Sequence, residues 1–155
     1  MEQLIIQEGT TKRERYEALL PQVRAVVEGE PDLIANMANV AAMLHEAFGF
    51  WWTGFYRVVG EELVLGPFQG PMACTRIGKG RGVCGTAWAR REAQVVPDVG
   101  RFPGHIACSS ASRSEIVVPV FREGHVIAVL DIDSDRLAAF DETDRCYLER
   151  LAEML

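Results

Sequence analysis

The sequence lacks the motifs by which many enzymes are placed. It has no pair of cysteines two residues apart, no G-x-x-x-x-G-K-[ST] phosphate loop and no G-x-S-x-G elbow. A structural zinc site, a nucleotide hydrolase and a serine esterase therefore each lack their residues. Positive charge is also short. Sixteen Lys and Arg stand against 22 Asp and Glu, a net charge of −6, which makes nucleic acid a poor partner. Apolar runs such as Val126–Leu130 are far too short to cross a bilayer, and Glu2 and Glu8 stand where a signal peptide carries basic residues. A cytoplasmic location, away from membranes, is expected. What is present is enough to fold: 155 residues, 48% hydrophobic and 25% charged, which suits one domain with its own core.

Apolar residues recur at helical spacing over Lys12–Val27 and again over Pro31–Phe48, with Gly29-Glu30-Pro31-Asp32 as stop and start signals. Two helices are therefore expected in residues 1–48. From residue 50 the texture is that of strands: Trp51–Val59 and Glu62–Phe68 form a hairpin around Gly60 and Glu61. A glycine-rich middle, 70–104, reads as loops with one short helix near Val83–Arg91. A second hairpin, Ser114–Phe121 and His125–Asp133, precedes a closing helix capped by Asp141, with Tyr147, Leu148, Leu151 and Leu155 as its apolar stripe. The chain thus reads as a single α+β domain, 1–155, with an antiparallel sheet and no repeat or linker.

The second hairpin carries three acids. A three-residue loop, Arg122–Gly124, pairs Phe121 with His125, lets both apolar sets share one face, and places Glu115 opposite Asp131. Asp133 then shares that face with Asp131, because alternate strand residues point the same way. Folding needs no acid there. Crowded carboxylates raise one another's pKa, which yields a neutral proton donor or a socket for a cation; a solvated strand end is the plain alternative and a divalent-metal site a weaker one.

In a reducing compartment a thiol is packed, metal-bound or reactive. Cys74, Cys84 and Cys108, spaced C-x9-C-x23-C, fall in or beside the glycine-rich loops. His105 with Cys108 supplies too few closely spaced ligands for structural zinc. The segment around Cys108 has few large side chains to bury a thiol, while His105, Arg101 and Arg113 are near enough in sequence to lower its pKa. Cys146 falls on the polar side of the last helix. Gly80-Arg81-Gly82-Val83-Cys84-Gly85 spells G-x-G-x-x-G, but without a βαβ unit it reads as a tight turn. Trp52, Gly54 and Tyr56 alternate onto one face of the first strand, as core packing or as the wall of a pocket.

Together the plan and the segments CTRIGKGRGVCGTAW, VVPDVGRFPGHIACSSASRSEIVVPV and VIAVLDIDS resemble the free methionine-(R)-sulfoxide reductases of the GAF-domain family, over residues 50–155. The resemblance implies a GAF core with a six-stranded antiparallel sheet flanked by helices, a small-molecule pocket under the middle loops, and a homodimer. It implies Cys108 as the nucleophile and Cys74 as the resolving thiol, with Cys84 as an alternative partner, and thioredoxin as reductant. Trp52 and Tyr56 would hold the sulfoxide methyl, and Glu115, Asp131 and Asp133 would bind the ammonium and supply a proton. No cofactor is implied. A ligand-binding GAF sensor and a thiol redox sensor are the competing readings; neither needs the full set of cysteines and acids.

Overall fold

The computed structural model describes residues 3–106 and 110–155. Its helices are α1 (Lys12–Val27), α2 (Leu33–Phe48), α3 (Gly82–Arg90) and α4 (Glu142–Ala152). Its strands are β1 (Trp52–Val59), β2 (Glu62–Gln69), β3 (Arg76–Gly78), β4 (Gln94–Val96), β5 (Ser114–Arg122) and β6 (His125–Ser134). They form one six-stranded sheet in the order β3-β2-β1-β6-β5-β4, antiparallel at every pairing. The expected six-stranded α+β architecture is present. The three-residue edge strands β3 and β4 have no counterpart among the strands read from pattern, being too short to display a period.

Helix starts follow from their caps. The Thr11 hydroxyl accepts from the Glu14 N–H, and the Glu14 carboxylate accepts from the Thr11 N–H, so two otherwise unpaired donors are satisfied reciprocally. Asp32 caps α2 and Asp141 caps α4. The apolar stripes of α1, α2 and α4 cover one face of the sheet, packing Tyr16, Leu19, Met37, Leu44, Leu148 and Leu151 against Phe55, Ile116, Val118, Leu130 and Ile132. Polar bonds tie the three helices to one another. Lys12 Nζ lies 2.5 Å from Asp144 Oδ2, and the Tyr16 hydroxyl donates to Asp144 Oδ1 at 2.8 Å. Arg15 donates to the Ala47 carbonyl at the end of α2.

The β5–β6 register differs from the expected one. Arg122 pairs with His125 across a two-residue turn, Glu123-Gly124, whose φ values of 52° and 77° both lie in the left-handed region. That turn geometry matches the twist of a hairpin. By itself it would set the two apolar rows on opposite faces. A bulge restores the parity: Phe121 pairs with Val126 but Val120 pairs with Ala128, leaving Ile127 as the extra residue. Ile116, Val118, Val120, Ala128, Leu130 and Ile132 then share the helix-covered face. Val126, ahead of the bulge, joins the other face. Glu115 consequently stands opposite Asp133, not Asp131, which pairs with Val117.

Candidate active site

Among the described residues, the second face of the sheet is covered by α3 and the middle loops. Tyr56, Val117 and Val129 from the strands pack there with Val83, Ala87 and Trp88 of α3. The G-x-G-x-x-G segment is a turn into α3: Gly80 N–H donates to the Gly85 carbonyl, and a Cβ at Gly85 would collide with the Gly78 carbonyl oxygen. Glycine at 85 is needed for that close approach.

Between this turn, β1 and the segments around residues 72 and 105 lies a cleft of about 590 Å³, its open mouth included. Trp52 and Tyr56 form one wall, with ring centroids 6.0 Å apart. Trp52 also stacks on Phe68 and donates from its indole to the Pro71 carbonyl at 3.0 Å. A Cβ at Gly54 would stand within 2.5 Å of the Trp52 ring, so glycine there lets the indole lie flat across the strand. Both aromatics are buried as well as lining the cleft. The core and pocket readings of this strand face therefore hold together. The Tyr56 hydroxyl donates to the Cys74 carbonyl at 2.9 Å, which fixes the backbone of the Cys74 loop to the same wall.

The floor is acidic. Glu115, Asp131 and Asp133 come from adjacent strands and face the cleft together, with Glu115 and Asp131 each 6% exposed. Burial is the first cause that pushes all three carboxyls above their usual range, and neighbouring acids add to it at Glu115 and Asp131. Asp133 is raised to about 6, moderated by the Ser112 hydroxyl that donates to it at 2.5 Å. The nearby charge of Asp131 adds to the effect of burial on Glu115. Among the described residues, Asp131 Oδ1 has no hydrogen-bond partner. The floor thus combines Asp133, raised to about 6, with two more deeply buried acids whose surroundings favour the protonated form.

Cys84 sits in the first turn of α3, 3% exposed. Its sequence context suggested an exposed loop; the structure instead buries it on the cleft floor, with Sγ 3.9 Å from Glu115 Oε1. Burial, then the neighbouring acids, push its thiol pKa well up, so it is a poor thiolate in this state. Cys74 lies beside the cleft and is disulfide-bonded. Cys108 lies outside the described residues. Cys146 is a free thiol exposed on α4, away from the cleft lining. Sequence reasoning missed Ser112, Arg81 and Ile106 as cleft residues, and did not bring His105 to Glu115, where Nε2 lies 3.9 Å from Oε2. No periodic pattern marks these positions; the loops deliver them.

A shallow-sheet domain with this strand order and a ligand-sized cleft beneath α3 has recognisable relatives. Residues 32–155 match the GAF domain, and the chain belongs to the GAF-domain family. A Neisseria meningitidis free methionine-R-sulfoxide reductase, solved in complex with its substrate, superposes with a TM-score of 0.96 at 56% identity, covering 99% of this chain and 93% of that one. The Escherichia coli free methionine-R-sulfoxide reductase is 46% identical over 93% of this chain and 88% of its own length. Dictyostelium discoideum GAF domain-containing protein A is 58% identical over 99% of this chain and 98% of its own. Within the GAF family, the chain is a member of the free methionine-R-sulfoxide reductases, a group of oxidoreductases.

Proposed function

We propose that this protein reduces free L-methionine-(R)-sulfoxide to methionine, with Cys108 as nucleophile. The observation that carries the reading is the cleft floor, where buried Glu115 and Asp131 and half-buried Asp133, all with raised pKa values, face an aromatic wall. A cleft with that chemistry suits a small zwitterion carrying a polar sulfur. Trp52 and Tyr56 hold the sulfoxide methyl group, and ionised Asp133 attracts the ammonium. A proton held by Glu115 or Asp131, both raised above the usual carboxylate range, goes to the sulfoxide oxygen.

In the first step the Cys108 thiolate attacks the sulfoxide sulfur. The oxygen, protonated from the acid pair, passes to Cys108, which becomes a sulfenic acid as two-electron-reduced methionine departs. Cys74 then displaces water from the sulfenic acid and forms a disulfide. That Cys74 is disulfide-bonded supports its resolving role. Cys84, buried and protonated, is the slower alternative partner. Two electrons from the dithiol of thioredoxin return both cysteines to the thiol state. The protein acts without a bound cofactor, in the cytoplasm, as a homodimer with the N-terminal helices as candidates for its interface. A cleft sized for a single amino acid also favours the free form over a sulfoxide within a polypeptide.

The test is a pair of thiol variants. Cys108→Ser abolishes methionine formation, whereas Cys74→Ser completes one stoichiometric turnover and loses thioredoxin-dependent cycling. Substantial turnover by Cys108→Ser would overturn the assignment of the nucleophile.

A further inference from the structure

The cleft floor holds a donor set that the proposed reaction does not use as a set. Cys84 Sγ, a Glu115 oxygen and an Asp131 oxygen all lie within 4.8 Å of one another, on three different elements of the fold: α3, β5 and β6. All three residues are buried, and Asp131 Oδ1, on a residue only 6% exposed, has no partner among the described residues. We propose that the reduced protein binds a zinc-class divalent cation at this point, through Cys84, Glu115 and Asp131, and that the ion blocks the cleft reversibly.

The donors choose the ion. One sulfur with two carboxylates suits borderline cations such as Zn²⁺, Co²⁺ or Cd²⁺, while Mg²⁺ and Ca²⁺ prefer six or more oxygens. Zinc bonds of about 2.0–2.3 Å place donors somewhat closer than they stand here, so each side chain moves inward by less than about 1 Å. His105, whose Nε2 is 3.9 Å from Glu115 Oε2, borders the set without belonging to it, and water completes the coordination. Coordination displaces the thiol proton and any proton on the two acids to solvent; no electron moves. The ion is thus a competitor for the acids that the substrate requires, not a resident cofactor. The blocking half of the proposal rests on the reductase reading, whereas the binding half stands independently of it.

The test separates the two halves. The variant Cys74→Ser/Cys108→Ser/Cys146→Ser keeps Cys84 as its single thiol and is titrated anaerobically with Co²⁺. A near-ultraviolet sulfur-to-cobalt charge-transfer band that saturates at one equivalent is expected. Adding Asp131→Asn should weaken Co²⁺ binding by at least about tenfold, with Glu115→Gln as the substitute should that protein not fold. In the unsubstituted enzyme Zn²⁺ should slow methionine release, with relief by a chelator and by higher sulfoxide concentration. Absence of the band, or affinity unchanged by both acid substitutions, overturns the site. A band accompanied by zinc-insensitive turnover overturns the blocking. An enzyme that binds Co²⁺ through Cys84 yet never releases methionine supports the site and removes the reductase reading.

Discussion

The two faces of the sheet use the same strands for opposite purposes. On the face covered by α1, α2 and α4, every inward strand residue from Ile116 to Val120 and from Ala128 to Ile132 is apolar and almost fully buried. One residue along, on the face under α3, the same two strands present Glu115, Asp131 and Asp133. Period-two alternation thus lets one hairpin build a core with one set of side chains and an acidic cleft floor with the other. The difference teaches where stability and function separate. The helix face gains from burial, whereas the cleft face bears the cost of desolvating acids and is left partly open by loops.

Substitutions on each face sharpen that contrast. The largest effect is expected from Asp131→Asn, which should lower turnover by roughly 10²- to 10⁴-fold, the usual worth of a positioned proton donor. Its stability at pH 8 should hold or rise, because a buried acid is lost from the floor. A variant that keeps full activity, or loses several kcal/mol of stability, would break the contrast. On the other face Leu130→Ala should cost about 2–5 kcal/mol, measured by denaturant unfolding, with turnover per folded molecule largely retained.

Lys12→Met comes next. It removes the cation beside Asp144, whose side chain is 1% exposed, and should destabilise by about 2–3 kcal/mol by leaving that carboxylate, among the described residues, with the Tyr16 hydroxyl and the Asp141 backbone N–H. The smallest effect, and the one with a clear sign, is Asp133→Asn. The folded-state pKa of Asp133 is raised from 3.8 to about 6. Its contribution is therefore fully present below about pH 3.8 and is lost as pH rises through about 6. At about 1.4 kcal/mol per unit the loss reaches at most about 3 kcal/mol. Asp133→Asn should thus match the parent at pH 4 and exceed it at pH 8, and equal stability at both pH values would show that the acid is not desolvated as the cleft implies.

Most of the architecture was legible because its signals are local. Periodicity marked α1, α2, α4 and both long hairpins, and caps such as Asp141 stood at the expected positions. Period places Asp131 and Asp133 on one face and the expected hairpin register adds Glu115; the structure brings the three together through a different register. Their pairing was not legible. The register depends on a left-handed Glu123-Gly124 turn and an extra Ile127, two features that compensate each other in parity and leave no trace in the apolar pattern. Cys84 was misjudged for a related reason. Its glycine neighbours suggested a loop, but those glycines serve a close turn that starts α3 and turns the thiol inward. Ser112 and His105 reach the floor through loop geometry that no spacing rule encodes.

The proposed reaction reduces one epimer of a free amino acid over the acidic floor and beside the aromatic wall. Methionine release from the separate R and S epimers of free methionine sulfoxide, with dithiothreitol and then thioredoxin as reductant, tests it most directly. R-selective turnover with both reductants is the expected result. No turnover of either epimer by the fully reduced protein would contradict the account and leave the cleft as the binding site of a non-catalytic GAF module.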